Sequence, residues 1–206
     1  MPKTARKTTR RHSPKRAAVL EAASELFLAH GFRGTSMDRI AEAAKVSKRT
    51  VYDHFPSKED LFEAICQDIL QQVEQMPRHS YSAGEPLDAQ LRAIGNAFAQ
   101  TICDPKFMKL SRVAISRYLR SAELAADTNK AYARLRRDMI AFFKAGKRDG
   151  RLRIPNPERA AAQFAGLIKE LAYWPELMAG AEPLSARERQ AVVKAAVDMF
   201  LAHYRA

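Results

Sequence analysis

The sequence predicts an all-α protein, and two observations carry that prediction. Alanine occurs 36 times, whereas valine and isoleucine together occur 17 times. That balance favours helix over strand, because β-branched side chains lose χ1 freedom in a helix and alanine loses none. Apolar residues also recur at three- and four-residue spacing instead of alternating. With 206 residues and 47% hydrophobic content, the chain can bury a core without a metal or disulfide staple, and a disordered chain is excluded.

The elements follow in order. The first helix places Val19, Leu20, Ala23, Leu26 and Phe27 on one face and is expected to stop at Gly31. Thr35 is expected to cap a second helix, with Asp38 at its third position in a capping-box arrangement. Ser47 is expected to cap a short third helix running to about His54. After Pro56, the run Ser57-Lys58-Glu59-Asp60 opens a longer fourth helix with Phe62, Ile65, Ile69, Val73 and Met76 on its apolar face. Residues 77–86 are polar and turn-rich and mark a weak boundary.

Further helices are expected beyond it. Leu87, Leu91, Ile94, Phe98 and Ile102 mark one, and Phe107, Leu110, Ala114 and Tyr118 the next. Another is expected over about 121–147, carrying Leu135, Met139, Phe142 and Phe143, before Gly150, Pro155 and Pro157 break the chain. Ala160, Phe164, Leu167, Leu171 and Trp174 form the stripe of the penultimate helix, and Val193, Ala196, Val197, Phe200 and Tyr204 that of the last. No repeat of solenoid type is present.

The formal charge is +12, and residues 1–16 alone hold +7 with no acid. Residues 17–58 carry only +1 and residues 59–206 only +4. Such a balance favours an anionic partner, nucleic acid or a membrane surface. Residues 1–13 read as a flexible arm, with Arg6, Lys7, Arg10 and Arg11 as candidate DNA contacts; a solvated tail is the alternative. No uninterrupted apolar run approaches the roughly 18–20 residues of a membrane span. Glu21 and Glu25 interrupt the apolar stretch after the basic N-terminus, so no signal peptide is expected. Cys66 and Cys103 are too few for a disulfide framework, and a reducing compartment, the cytoplasm, is expected.

Residues 40–54 have the layout of a helix-turn-helix. Ile40, Ala41, Val46 and Val51 are the apolar or small positions where two short helices meet, and Ala41 allows a close crossing. The second of these helices would lie in the DNA major groove with Lys48, Arg49 and Thr50 at its leading end. Arg49 can donate a bidentate pair to guanine. Ser36 or Met37 at one helix start and Lys58 at another suit phosphate anchoring, and Tyr52 and His54 can donate to backbone oxygens. Packing of the short helix is the alternative for Tyr52 and His54, and is preferred for Phe55.

The run Ala22, Leu26-Phe27, Gly31-Phe32, Thr35-Ser36, Ile40-Ala41, Ala44-Lys45-Val46-Ser47, Thr50-Val51-Tyr52, His54-Phe55-Pro56-Ser57-Lys58 and Leu61 resembles the DNA-binding domain of the TetR family of transcriptional repressors. The resemblance covers about residues 14–65; the later helices are loosely similar to the AefR-type subgroup. It implies a helix-turn-helix domain over 14–60 and a ligand-binding and dimerisation domain over 61–206. It also implies a homodimer on a palindromic operator of double-stranded DNA, a small-molecule effector, and no cofactor. Ser36, Ser47, Lys48, Arg49, Thr50, Tyr52, His54 and Lys58 become the DNA-contact positions. Two positions depart from the family pattern. Lys45 stands where most members have glycine, which either costs about 1 kcal/mol or changes the turn. Arg49 stands where a small residue is common.

On the same resemblance, Phe98, Phe107, Met108, Tyr118, Phe143, Phe164 and Trp174 are candidate walls of an effector pocket, with ordinary core as the alternative. Ala160, Ala161, Ala195 and Ala196 permit close approach of the last two helices to a partner, with internal packing as the alternative. A DNA-organising or partner-recruiting protein without a small-molecule switch is the second functional reading. Catalysis is not expected. The histidines, at 12, 30, 54, 79 and 203, show no paired spacing, and no metal site, nucleophile–base set or glycine-rich phosphate loop is present.

Overall fold

A computed structural model describes residues 13–118 and 136–206, without the side chains of residues 117 and 118. The chain is all-α, and among the described residues an isolated bridge between Leu152 and Arg205 is the only strand-like pairing. The helices are α1 (Pro14–Gly34), α2 (Met37–Ala43), α3 (Lys48–His54), α4 (Lys58–Glu74), α5 (Leu87–Ile102), α6 (Pro105–Tyr118), α7 (136–148), α8 (Pro157–Ala172), α9 (Trp174–Ala179) and α10 (Ala186–Tyr204). Two compact units are formed. Among the described residues, the first takes in 13–70 and the segment from Lys109, and the second takes in 71–108 and the segment from 136 to the end.

In the first unit, Ser13 caps α1: its Oγ accepts the Arg16 N–H at 3.2 Å, and Pro14 occupies the first turn, where its missing N–H costs nothing. Val19, Ala23 and Phe27 are buried from α1 and Phe62 from α4. The Phe27, Phe32 and Phe62 rings lie 5.2–6.5 Å apart. Gly31 breaks the helical backbone at φ 71°, as its position suggests, and a last turn then runs on to Gly34.

That break changes the next cap. Thr35 is buried, and its hydroxyl donates to the carbonyls of Leu26 and Gly31 at 3.1 and 2.9 Å. Drawn inward to satisfy carbonyls freed at the end of α1, it cannot also cap α2. Ser36 is the cap instead, accepting the Arg39 N–H at 3.3 Å. The cap expected at Thr35 therefore falls at Ser36, and Asp38, expected to complete a capping box, pairs with Lys48 instead. At the far end of α2, Lys45 takes the left-handed conformation at φ 53°. Its N–H donates to the Glu42 carbonyl and that of Val46 to the Ala41 carbonyl, both at 3.0 Å. These two bonds make the Schellman ending usually built on glycine. Lys45 thus takes the left-handed conformation that glycine reaches freely and accepts its strain.

Ser47 caps α3 as expected, accepting the Thr50 N–H at 3.1 Å, and Ser57 accepts the Asp60 N–H at 3.0 Å where α4 opens. Ile40, Ala41 and Val51 are buried where the short helices meet. On α6, Lys109 bonds to both Glu21 and Glu25 of α1. Partial burial pulls its ammonium down, but the hydrogen bonds to the two carboxylates outweigh this and hold its pKa above the usual lysine value.

In the second unit, α5 packs against α8 and α10. A Cβ at Gly95 would stand 2.6 Å from Val193 Cγ1, so glycine sets how closely α5 and α10 approach. Phe143, Phe164, Phe200 and Tyr204 form one aromatic cluster, in which Phe143 and Phe200 stack at 4.9 Å and the other pairs meet edge-on or tilted. Residues 77–86 carry no helix but are held firmly. Arg151 donates to the carbonyls of Ala83 and Glu85, each at 2.9 Å, and Gln90 exchanges two 2.8 Å bonds with the Ser82 backbone.

The stripe expected to end at Trp174 is corrected. Helix α8 stops at Ala172, Leu171 is 56% exposed, and Trp174 opens the separate helix α9. Pro175 causes the break, since it has no N–H to bond the carbonyl four residues back and its ring clashes there. The buried lane is Ala160, Ala161, Phe164, Ile168 and Ala172. Helix α4 likewise ends at Glu74, leaving Met76 beyond it. Of the small residues considered for a partner contact, Ala160, Ala161 and Ala196 are buried within this unit, whereas Ala195 is exposed.

Candidate DNA-contact surface and effector cavity

Helix α3 is fixed from below by Val51 and Phe55, both buried, and its leading end faces outward. Arg49 is exposed and makes no ion pair among the described residues. Tyr52, next to inward-facing Val51, is 50% exposed. Lys48 is exposed too, and its Nζ lies 2.6 Å from Asp38. The hydrogen bond from Lys48 to Asp38 holds the lysine's pKa above its usual value. Thr50 is half-buried and shares a 2.8 Å hydroxyl bond with Ser47.

The flanking positions are more constrained. Lys58 donates to the Thr35 carbonyl at 2.7 Å, and its ammonium lies 4.6 Å from the Phe32 ring centroid. This brings Lys58 beside Ser36, so those two positions share one edge of the unit. His54 is half-buried, with Nε2 at 3.3 Å from the Ser13 hydroxyl and its ring 6.3 Å from that of Phe55. Arg16 lies over Phe55 at 5.1 Å. Arg6, Lys7, Arg10 and Arg11 lie outside the described residues.

The second unit holds a cavity of about 390 Å³, within the range of small-molecule sites. Every described residue lining it belongs to this unit. Val73, Met76, Phe98, Ile102, Phe107 and Met139 give it apolar walls. Ala162, Ala165 and Gly166 of α8 keep one side open, and Tyr173 and Trp174 close another. Arg136 and Lys169 supply its charge. The Lys169 ammonium lies 4.5 Å from the Trp174 ring and 5.2 Å from that of Tyr173. Burial, and then repulsion from Arg136, lower its pKa.

Of the positions considered for pocket walls, Phe98, Phe107 and Trp174 line this cavity. Phe143 and Phe164 sit in the aromatic cluster, and Met108 is buried without being among the lining residues. The side chain of Tyr118 lies outside the described residues. Sequence reasoning looked for large apolar residues and so missed Arg136, Lys169 and the small residues of α8. For the α8 residues the signal was the helical spacing of Ala162, Ala165, Gly166 and Lys169, and Arg136 had none.

Among the described residues, no cluster of three His, Cys, Asp or Glu could hold a metal, and no helix is long and apolar enough to cross a membrane. Cys103 donates to the Ala172 carbonyl at 3.1 Å, and burial pushes its thiol up to about 11, which leaves it unreactive near neutral pH.

Comparison with known proteins places both parts. Residues 19–65 match bacterial regulatory proteins of the tetR family, and residues 89–206 match the AefR-like transcriptional repressor C-terminal domain. A TetR family transcriptional regulator from Pseudomonas syringae pv. tomato str. DC3000 has a similar solved structure, with a TM-score of 0.76 and 36% identity over 94% of this chain and 98% of that one. The flavonoid-responsive regulator FrrA is similar at a TM-score of 0.69 and 29% identity, over 93% of this chain and 97% of that one. The HTH-type transcriptional regulator RutR of Escherichia coli (strain K12) is 46% identical over 68 residues, which are 33% of this chain and 32% of RutR. This chain thus spans about a third of RutR's length in that match.

Proposed function

From the premise that the chain belongs to the TetR family of DNA-binding transcriptional regulators, with an AefR-like C-terminal domain, we propose that it is a ligand-responsive repressor acting as a homodimer on a palindromic operator. The observation that carries this reading is α3 itself. It is capped by Ser47, set at a fixed angle by the left-handed Lys45 turn, and presents exposed Arg49 and Tyr52. Arg49 reads guanine in the major groove, while Ser36, Ser47, Lys48, Thr50, Tyr52, His54 and Lys58 position the helix on phosphates and neighbouring bases. The side chains of Leu171, Met178 and Met199 are more than half exposed on the last helices, which supports a subunit contact there. The 390 Å³ cavity supports an effector, as does the similarity to a regulator named for its response to flavonoids. An effector would act by binding the DNA-competent and incompetent arrangements unequally.

Footprinting on DNA flanking the protein's own coding sequence tests this reading. Saturable protection of one inverted repeat, with two chains bound per duplex by native mass measurement, is the expected result. Even protection along the DNA with no preferred repeat would contradict it.

A further inference from the structure

The cavity combines features that an uncharged apolar ligand would not use. Arg136 and Lys169 both border it, and among the described residues no Asp or Glu lines it. Lys169 is half-buried, and its described partners are the faces of Tyr173 and Trp174. Such faces attract an ammonium but do not neutralise it. Partial burial, and then repulsion from Arg136, disfavour the charge on Lys169. A ligand bearing a negative charge relieves both costs, and the gain is larger where water is excluded. Apart from Thr101, whose hydroxyl donates to the Ala97 carbonyl, the remaining described walls are apolar or aromatic, so the body of that ligand is apolar.

We propose, resting on the reading that this cavity holds the effector, that it takes an amphipathic organic anion: an apolar or aromatic body carrying one carboxylate or comparable acidic group, held by Arg136 and Lys169. The guanidinium supplies a planar fork of donors and the ammonium a point charge, a pair suited to a planar acidic group. Gly166 gives the entry side its width. It lines the cavity, and a Cβ built there meets nothing within 4 Å, so a larger side chain would enter free space and not collide with the protein.

The test uses two fluorescent probes with one body, anilinonaphthalene sulfonate and uncharged phenylnaphthylamine, titrated into the full-length protein. The sulfonate should bind at least about tenfold more tightly, as expected for hydrogen bonds to charged groups. Lys169→Met and Arg136→Met should each weaken the sulfonate about tenfold and leave the neutral probe unchanged, with helical circular dichroism retained. Gly166→Leu should weaken both probes. Equal binding of the two probes, with Gly166→Leu blocking both, would overturn the anion assignment while leaving the cavity as a ligand site. A preference for the sulfonate that survives both cation substitutions would overturn it equally. If Gly166→Leu leaves both probes unaffected, or neither probe binds, the effector-cavity reading fails and the anion assignment fails with it.

Discussion

Lys45 sets backbone strain against the turn that holds α3, the helix proposed to read DNA. At φ 53° its Cβ crowds the following carbonyl, yet the two hydrogen bonds that end α2 require that conformation. Lys45→Gly should therefore stabilise the protein by up to about 1 kcal/mol in thermal denaturation and leave sequence preference intact. A fall in stability would show that the lysine side chain contributes more than its backbone costs. On the proposed reading, Arg49 and Lys58 separate reading from holding. Arg49→Ala should remove about 1–3 kcal/mol of discrimination at one base pair, measured by competition with single-base operator variants, and change random-sequence binding little. Lys58→Ala should weaken all sequences alike and lower the log–log salt slope by about 0.9. Because Lys58 also holds the Thr35 carbonyl, a parallel fall in melting temperature is expected.

At the scale of elements, two glycines on neighbouring helices have opposite reasons for being there. Gly95→Ala should destabilise by about 1–3 kcal/mol, because its Cβ would force Val193 from its place between α5 and α10. Gly166→Ala should stabilise by about 0.5–1 kcal/mol, because its Cβ meets open space and alanine is the better helix former. Paired thermal melts check both signs. Sequence periodicity made the helix-turn-helix and the buried stripe of α10 legible, since each rests on short-range spacing, with strong caps at Ser47 and Ser57 framing α3 and α4. It misplaced the cap of α2, because Thr35 answers to carbonyls of α1 that a local pattern does not reveal. It carried the α8 stripe through to Trp174, because helical spacing outweighed Pro175 in that reading. The Gly95 contact and the Arg136–Lys169 pair join residues distant in sequence, so spacing along the chain gave no sign of either.

At the scale of the whole molecule, most of the charge lies apart from the helix proposed to read DNA. More than half of the +12 charge lies in residues 1–16, whereas residues 17–58, which hold α3, carry +1. Removing residues 2–12 takes away five cations but keeps Ser13, the cap of α1. We expect that truncation to weaken DNA binding and to flatten the log–log salt slope by about 0.9 for each phosphate the arm had neutralised, with base preference unchanged. An unaltered slope, measured by titration across salt concentrations, would reduce the arm to a solubility tail. The central claim is that the fold presents α3 as a sequence reader in a symmetric dimer. Selection from a random duplex library by the full-length protein tests it most directly. The predicted result is enrichment of one inverted repeat whose half-sites lie a whole number of helical turns apart. Failure of folded, dimeric protein to enrich any sequence would contradict it.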